Sequence, residues 1–386
     1  MAKMQRRKSL KQSKNAFNNY LINAITHKSG ENNMSYESEL ALRLVPYVAG
    51  EQPKNVKLIK LNTNENPYPP SPKVAEAIAS VPADALRLYP DMDATALCAA
   101  IAKVNGVDQA CVFCGNGSDE VLAFAFAAFF AGKKLVAPDV TYSFYPVYAS
   151  LFGVEYETVP LNAKFEVDVE GLMQGCPVAL ANPNAPTGIL LKSAEVRRLA
   201  QHTKDNGAVL LVDEAYAAFS PENALPLLSE FDNVLITRTF SKSHALAGMR
   251  IGYAIGSPRL IAALKRIRDS FNSYPLDRLA QAAGEAAILD TAYTAETVRL
   301  VCEARDYCRN ALLAAGIPVL KSATNFLFVK ADPVDAAPVQ QALRGEGILV
   351  RHFKAERLKA WLRVTIGTTE DMKIVTEKLL KYCRVK

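Results

Sequence analysis

NVLITRTFSKSHALAGMRIGYAIG, residues 233–256, sets two β-type apolar runs around one lysine. The runs 233–240 and 251–256 read as strands. Between them Lys242 is crowded by Ser241, Ser243, Ala245, Ala247 and Gly248, with Arg250 eight positions on. Most lysines are surface charges, whereas small neighbours let other groups approach this one closely. The alternation of short β-rich runs and helix-like segments extends outward, from about residue 58 to 256. The runs 134–139, 154–161, 177–183 and 208–216 read as strands. SAEVRRLAQHTKDNG, 193–207, reads as a helix with a Ser start and an Asn-Gly stop. Continuous apolar strands between helices predict an α/β fold, a three-layer large domain with a mainly parallel sheet covered on both faces. From about residue 280 the texture changes. The stretch 296–316 reads as a long amphipathic helix, and NFLFVK and WLRVTIG as strands each followed by a helix, which predicts a smaller α+β domain. The segment LRLVPYVAGEQP near Leu42 is expected to pack with that domain.

The 386 residues carry 45 Lys and Arg against 39 Asp and Glu, a formal charge of +6. That excess is local. Residues 1–30 hold seven basic and no acidic residues, leaving 38 basic against 39 acidic elsewhere. The start is rich in Asn, Ser and Lys and lacks an apolar segment, so disorder is expected there. A transit peptide, an extension ahead of a second start at Met34, or a nucleic-acid arm would all read this way. No apolar run reaches the roughly 18 residues of a membrane span, and the run from Val121 is expected as a buried helix. The seven cysteines are scattered, and Cys111 and Cys114 form a CxxC without a second pair, which argues against zinc. Free thiols suit a cytoplasmic setting. The expected organisation is a disordered basic extension at 1–33, an N-terminal segment at 34–64, a large domain at 65–284 and a small domain at 285–386.

Ligands of parallel sheets bind at the carboxyl ends of the strands. The run 208–212 ends in Asp213, a carboxylate that needs a cationic partner if it is buried, and Tyr216 lies three residues on. The next strand delivers Ser241 and Lys242. A desolvated lysine has a lowered pKa, and as the free amine it attacks carbonyls. In CGNGSDEV, Gly115 and Gly117 allow a tight turn and Ser118 opens a helix, a place for phosphate; Asp119 suits the first turn of that helix. Tyr142 follows another strand and could stack on a flat ring. In NPNAPTG, Asn182 and Asn184 could bond a ring substituent. Each feature also has a plain structural explanation. Together they describe one ligand with a phosphate, an aromatic ring bearing a basic nitrogen, a phenolic oxygen and an aldehyde, which is pyridoxal 5'-phosphate. Asp213 would keep the ring nitrogen protonated, and Ser241 and Arg250 lie within reach of the phosphate.

With LNTNENPYPP, LYPD, GNGSDE, DEAY, TFSKSHALAGMRIG, TNFLF, GILVR and LRVTIGT in order, the chain resembles the fold-type I pyridoxal-phosphate aminotransferases from about residue 42 onward. Among them it is most similar to the histidinol-phosphate aminotransferases. The resemblance implies that Lys242 anchors the cofactor, with Asp213 at the ring nitrogen and Tyr216 at the phenolic oxygen. It puts Ser118, Asp119, Thr239, Ser241 and Arg250 around the phosphate and Tyr142 on the ring. Tyr89 would reach the phosphate of a neighbouring subunit, which implies a homodimer. Arg363 would bind a substrate carboxylate, and Asn64, Tyr47 and Arg351 would line the outer pocket. The implied reaction is transamination between L-histidinol phosphate and 2-oxoglutarate, in histidine biosynthesis. Aromatic amino-acid aminotransferases and threonine-phosphate decarboxylases share the pattern. The sequence departs from it at Ala185, where the family carries an Asn bonded to the phenolic oxygen; Asn184 or Asn182 would supply that bond, or Tyr216 alone. A transcription regulator would need a winged-helix module, for which the first 40 residues are too short.

Overall fold

The computed structural model describes residues 36–47, 50–52 and 58–383, and the basic extension expected at 1–33 lies outside them. The residues divide into two units, up to Leu44 and from Val45 onward. In the first, a short helix, Glu39–Arg43, begins at Ser38, whose Oγ accepts the Ala41 N–H at 3.2 Å. The second unit carries β1 (Ile59–Leu61), β2 (Val112–Asn116), β3 (Lys134–Pro138), β4 (Glu155–Val159), β5 (Val178–Ala181) and β6 (Leu210–Asp213). These are followed by β7 (Val234–Thr239), β8 (Ile251–Gly256), β9 (Phe326–Lys330), β10 (Ile348–His352) and β11 (Trp361–Thr365).

Seven strands form one sheet in the order β2-β8-β7-β6-β5-β3-β4. Its centre is parallel, as the apolar runs predict: β3, β4, β5, β6 and β7 all run one way. β8 runs antiparallel to both β7 and β2. The connection 240–250 is shorter than the dozen or so residues that a parallel crossover needs, so the chain turns back beside β7. Alternate strand residues supply two cores. Leu211, Leu235 and Ala254 pack with Phe126 and Leu264 on one face, and Leu210, Val212, Val234 and Ile236 with Leu199 on the other. The helices Gly117–Ala125 and Pro258–Asp269 cover the first face and Ser193–Asp205 the second. The apolar run from Val121 is buried helix, passing into a π-helical turn at Phe126–Phe130.

The second sheet has the order β1-β10-β11-β9. β1 pairs parallel to β10, so the N-terminal segment contributes a strand to a sheet otherwise built from the last third of the chain. In the same segment Glu51 takes both Nη atoms of Arg344, at 2.6 and 2.7 Å. β10 went unread in the sequence because its apolar run is short and ends in Arg351 and His352. The helices Thr291–Ala314 and Thr369–Tyr382 bury Val301, Leu312, Val375 and Leu379 against Phe326 and Val364. The Cys111 and Cys114 pair is split: Cys114 is buried 3.5 Å from the Cys98 sulfur, while Cys111 sits in the turn before β2.

Gly252 faces Gly115 across β8 and β2. A Cβ on it would lie 2.2 Å from the Ser118 nitrogen and 2.3 Å from the Gly117 carbonyl carbon. Both are backbone atoms of a helix start and have no rotamer through which to retreat. Gly252→Ala is expected to cost about 1–3 kcal/mol or more of stability, read as a lower urea midpoint at unchanged m-value.

Candidate active site

The carboxyl ends of β6 and β7, the loop after β7, and the start of the helix Gly117–Ala125 enclose a cavity of about 380 Å³. Ser118, Asp119, Tyr142, Asp213, Tyr216, Thr239, Ser241, Lys242 and Arg250 line it. Residues picked out from separate stretches of sequence therefore share one space.

Asp213 is 5% exposed and meets no cation among the described residues. Burial pushes its carboxyl from 3.8 up to about 7, against hydrogen bonds from the Ala215 N–H at 3.2 Å and the Tyr145 hydroxyl at 3.3 Å. A buried carboxylate without a cationic partner suits a ligand that brings a positive nitrogen. Burial, with Arg363 nearby, pushes the Lys242 amine from 10.5 down to about 8, so roughly a tenth of it is a free nucleophile at pH 7. The amine donates to the Thr63 carbonyl at 3.2 Å and stands 6.0 Å from the centre of the Tyr216 ring. Burial also raises the Tyr216 phenol, so it stays protonated and able to donate.

At the other end lies an anion nest. The helix start at Asn116 has no side-chain cap, which leaves its first N–H groups for a ligand. Gly117 stands at φ 81°, and a Cβ there would meet Arg250 Nη2 at 2.5 Å. Arg250 donates to Asp119 Oδ2 at 2.9 Å, and the Tyr142 hydroxyl donates to Asp119 Oδ1 at 2.7 Å. Ser241 and Thr239 close the nest, the Ser241 N–H donating to Thr239 Oγ1 at 3.1 Å.

A second cavity, of about 510 Å³, shares Tyr142, Ala185 and Tyr216 with the first and is walled by Tyr47, Arg351, Phe353 and Arg363. Tyr47 lies against Phe144 with ring centres 4.4 Å apart. Arg351 and Arg363 face each other across β10 and β11. Like charges at paired positions repel, and neither has a carboxylate in ion-pair range among the described residues. Arg363 donates to the Asn62 carbonyl at 3.0 Å, its Nε is buried without a partner, and burial lowers its pKa. Two uncompensated guanidiniums side by side suit an anion with more than one charged oxygen.

Two residues expected near the phenolic oxygen are bonded into their own turn. Asn182 has both ends of its amide bonded to the Leu191 backbone, at 3.0 and 2.8 Å. Asn184 spends both amide protons on the Val140 carbonyl and Thr187 Oγ1, which leaves it no donor for a phenolic oxygen. Tyr89, expected to serve a neighbouring subunit and not its own, is 78% exposed and stacks on Tyr274. Asn64, expected in the outer pocket, does not line that cavity and instead belongs to a support around the site that the sequence reading missed. Residues 62–66 form a strap on which the Asn62 carbonyl holds Arg363, the Thr63 carbonyl holds Lys242 and Asn64 Nδ2 donates to the Tyr216 hydroxyl at 2.9 Å. Asn66 Nδ2 reaches the Lys242 carbonyl at 3.0 Å. The signal was present as three asparagines in NTNEN. Tyr145 gave no signal, being one of four aromatics in YSFYPVY.

Residues 56–379 match the family described as aminotransferase class I and II. Histidinol-phosphate aminotransferase from Gluconacetobacter diazotrophicus is 48% identical over 89% of this chain and 96% of its own. The Acinetobacter baumannii enzyme of that name is 48% identical over 88% and 94%. The solved histidinol-phosphate aminotransferase of Sinorhizobium meliloti, in complex with pyridoxal-5'-phosphate, is 27% identical. It superposes with a TM-score of 0.80 over 92% of this chain and 99% of that one.

Asp213 predicts a pH signature. Its folded-state pKa lies above its unfolded value, so the native state binds the extra proton. Stability is therefore lost as pH rises from about 4 through about 7. Asp213→Asn removes that loss. In the ligand-free protein this variant should match wild type near pH 3.5 and exceed it by a few kcal/mol at pH 8, measured by urea denaturation at the two pH values.

Proposed function

Because the chain belongs to the class I and II aminotransferases, we propose that it moves an amino group between L-histidinol phosphate and 2-oxoglutarate, with pyridoxal 5'-phosphate as its cofactor. The observation behind the substrate reading is the facing pair Arg351 and Arg363. A phosphate monoester offers charged oxygens to two guanidiniums, whereas a carboxylate satisfies one. The relatives that share 48% of their residues with this chain bear the same activity in their names.

The residues present fit the cofactor. Asp213 is a buried carboxylate awaiting a cation, Lys242 an amine held near neutrality, and the open helix start beside Arg250, Ser118 and Ser241 a cradle for phosphate. Bound pyridoxal phosphate supplies an aldehyde for the lysine and an electron sink for charge on the carbon next to the substrate nitrogen. Asp213 holds a proton at the ring nitrogen, which keeps that sink effective. Tyr216 donates at the phenolic oxygen. As a free amine, Lys242 would take the proton from the substrate carbon that bears the nitrogen and would be the group that hands it back. Arg363 and Arg351 orient the substrate by its anionic end, and the same pair receives the carboxylates of the oxo acid. Tyr142 would stack on the cofactor ring, and Tyr47 lines the outer cavity.

A second copy of the chain belongs to this reading. Leu86, Leu88, Tyr89, Met92, Phe271 and Tyr274 are all exposed, an apolar patch of the kind that associates. Arg278 and Gln281 tie its two segments together. In a homodimer Tyr89 would reach the phosphate held by the neighbouring subunit. No described helix is long and apolar enough to cross a membrane.

Two experiments test the reading. Protein loaded with pyridoxal phosphate and mixed with L-histidinol phosphate, without oxo acid, should lose its visible band rapidly, and Lys242→Ala should abolish that change. Equal conversion by L-phenylalanine would overturn the substrate assignment. Arg351→Gln is expected to raise KM for L-histidinol phosphate about tenfold to a hundredfold, the worth of one charge-assisted bond, with a smaller change for 2-oxoglutarate.

A further inference from the structure

Asn64 stands at φ 56°, a left-handed conformation that a non-glycine residue keeps only where its surroundings hold it. The holding groups come from the second sheet. Thr365, at the end of β11, accepts the Asn64 N–H at 3.0 Å, and its hydroxyl donates to Asn64 Oδ1 at 2.9 Å. Asn325, ahead of β9, donates to the Asn64 carbonyl at 3.0 Å. All three residues are buried.

The direction of these bonds has a chemical result. Thr365 occupies Oδ1, so the amide can turn only Nδ2 toward Tyr216, and Nδ2 donates to the phenol oxygen at 2.9 Å. A phenol has one proton of its own. With its oxygen already accepting from Asn64, that proton is free to point into the cavity. In the turn at 182–188 residue 185 is alanine, Asn184 has spent both amide protons on Val140 and Thr187, and the Asn182 amide is tied at both ends to the Leu191 backbone. We propose that Thr365 is a positioning residue for the reaction: its hydroxyl fixes the orientation of the Asn64 amide, and thereby the direction in which Tyr216 donates, toward the phenolic oxygen of the cofactor. Without that hydroxyl the amide is free to flip and present Oδ1, and Tyr216 would then donate to Asn64 instead.

The proposal rests on the assignment of the cavity to pyridoxal phosphate, and the test separates the two. A donor at the phenolic oxygen disperses its negative charge, which weakens the hold on a proton at the nitrogen joining Lys242 to the cofactor. Thr365→Val keeps the volume and removes the donor. The pH midpoint of the visible band in the loaded protein should rise by about half a unit to one unit, the worth of one hydrogen bond. Thr365→Ser should restore the wild-type midpoint. In a Tyr216→Phe background, Thr365→Val should add no further shift, because the phenol through which it acts is gone. An unchanged midpoint in Thr365→Val, a Ser variant that shifts like Val, or an additive shift in the double variant would each overturn the proposal. If wild type shows no visible band with pyridoxal phosphate, the failure lies with Lys242 and the cofactor assignment.

Discussion

Two ionisable groups held out of water at the edge of one sheet set the terms for the rest of the molecule. Asp213 ends β6 and Lys242 follows the end of the adjacent β7, and burial moves one up to about 7 and the other down to about 8. Each is less stable there than in solvent. The fold tolerates them because the strands that deliver them lie between two apolar layers, with Leu211 and Leu235 on one side and Leu210, Val212, Val234 and Ile236 on the other. The same burial is what makes the groups useful: an acid poised to meet a positive ring nitrogen, and an amine that gives up its proton near physiological pH.

The strap at 62–66 joins this edge to the second sheet. One face of it meets Lys242 and Tyr216, and the other meets Arg363, Thr365 and Asn325. The group that would bind substrate and the group that would move its proton are thus bonded to neighbouring peptide carbonyls, at Asn62 and Thr63. A shift of β11 would be felt at the lysine through rigid backbone. That arrangement also explains why a non-glycine residue sits at positive φ: Asn64 is bonded from three sides and has no freedom to relax.

Much of the site was legible in the chain because each of its chemical groups follows a recognisable apolar run. Strands ending in Asp213 and in Ser241-Lys242, and a glycine turn before Ser118, mark positions by local pattern alone, and the structure brings them into one cavity. Asn182 and Asn184 are bonded into their own turn for a physical reason. An amide that follows a strand can serve a ligand or its own turn, and only the return of the chain at Leu191 and Thr187 decides which. Tyr89 sits on an exposed surface, and the cavity of its own chain does not include it.

Periodicity, and residues adjacent in the chain, were enough to determine the parallel α/β core, two strands of the second sheet, and the positions of Lys242, Asp213 and the glycine turn before Ser118 at one cavity. Packing decided the rest: the reversed entry of β8, the insertion of β1 beside β10, the approach of Tyr145 to Asp213, and the hydrogen bonds from Thr365 through Asn64 to Tyr216. Those contacts join residues up to 301 positions apart. No local propensity encodes them, because they exist only once both sheets have packed and left a buried polar group nowhere else to turn.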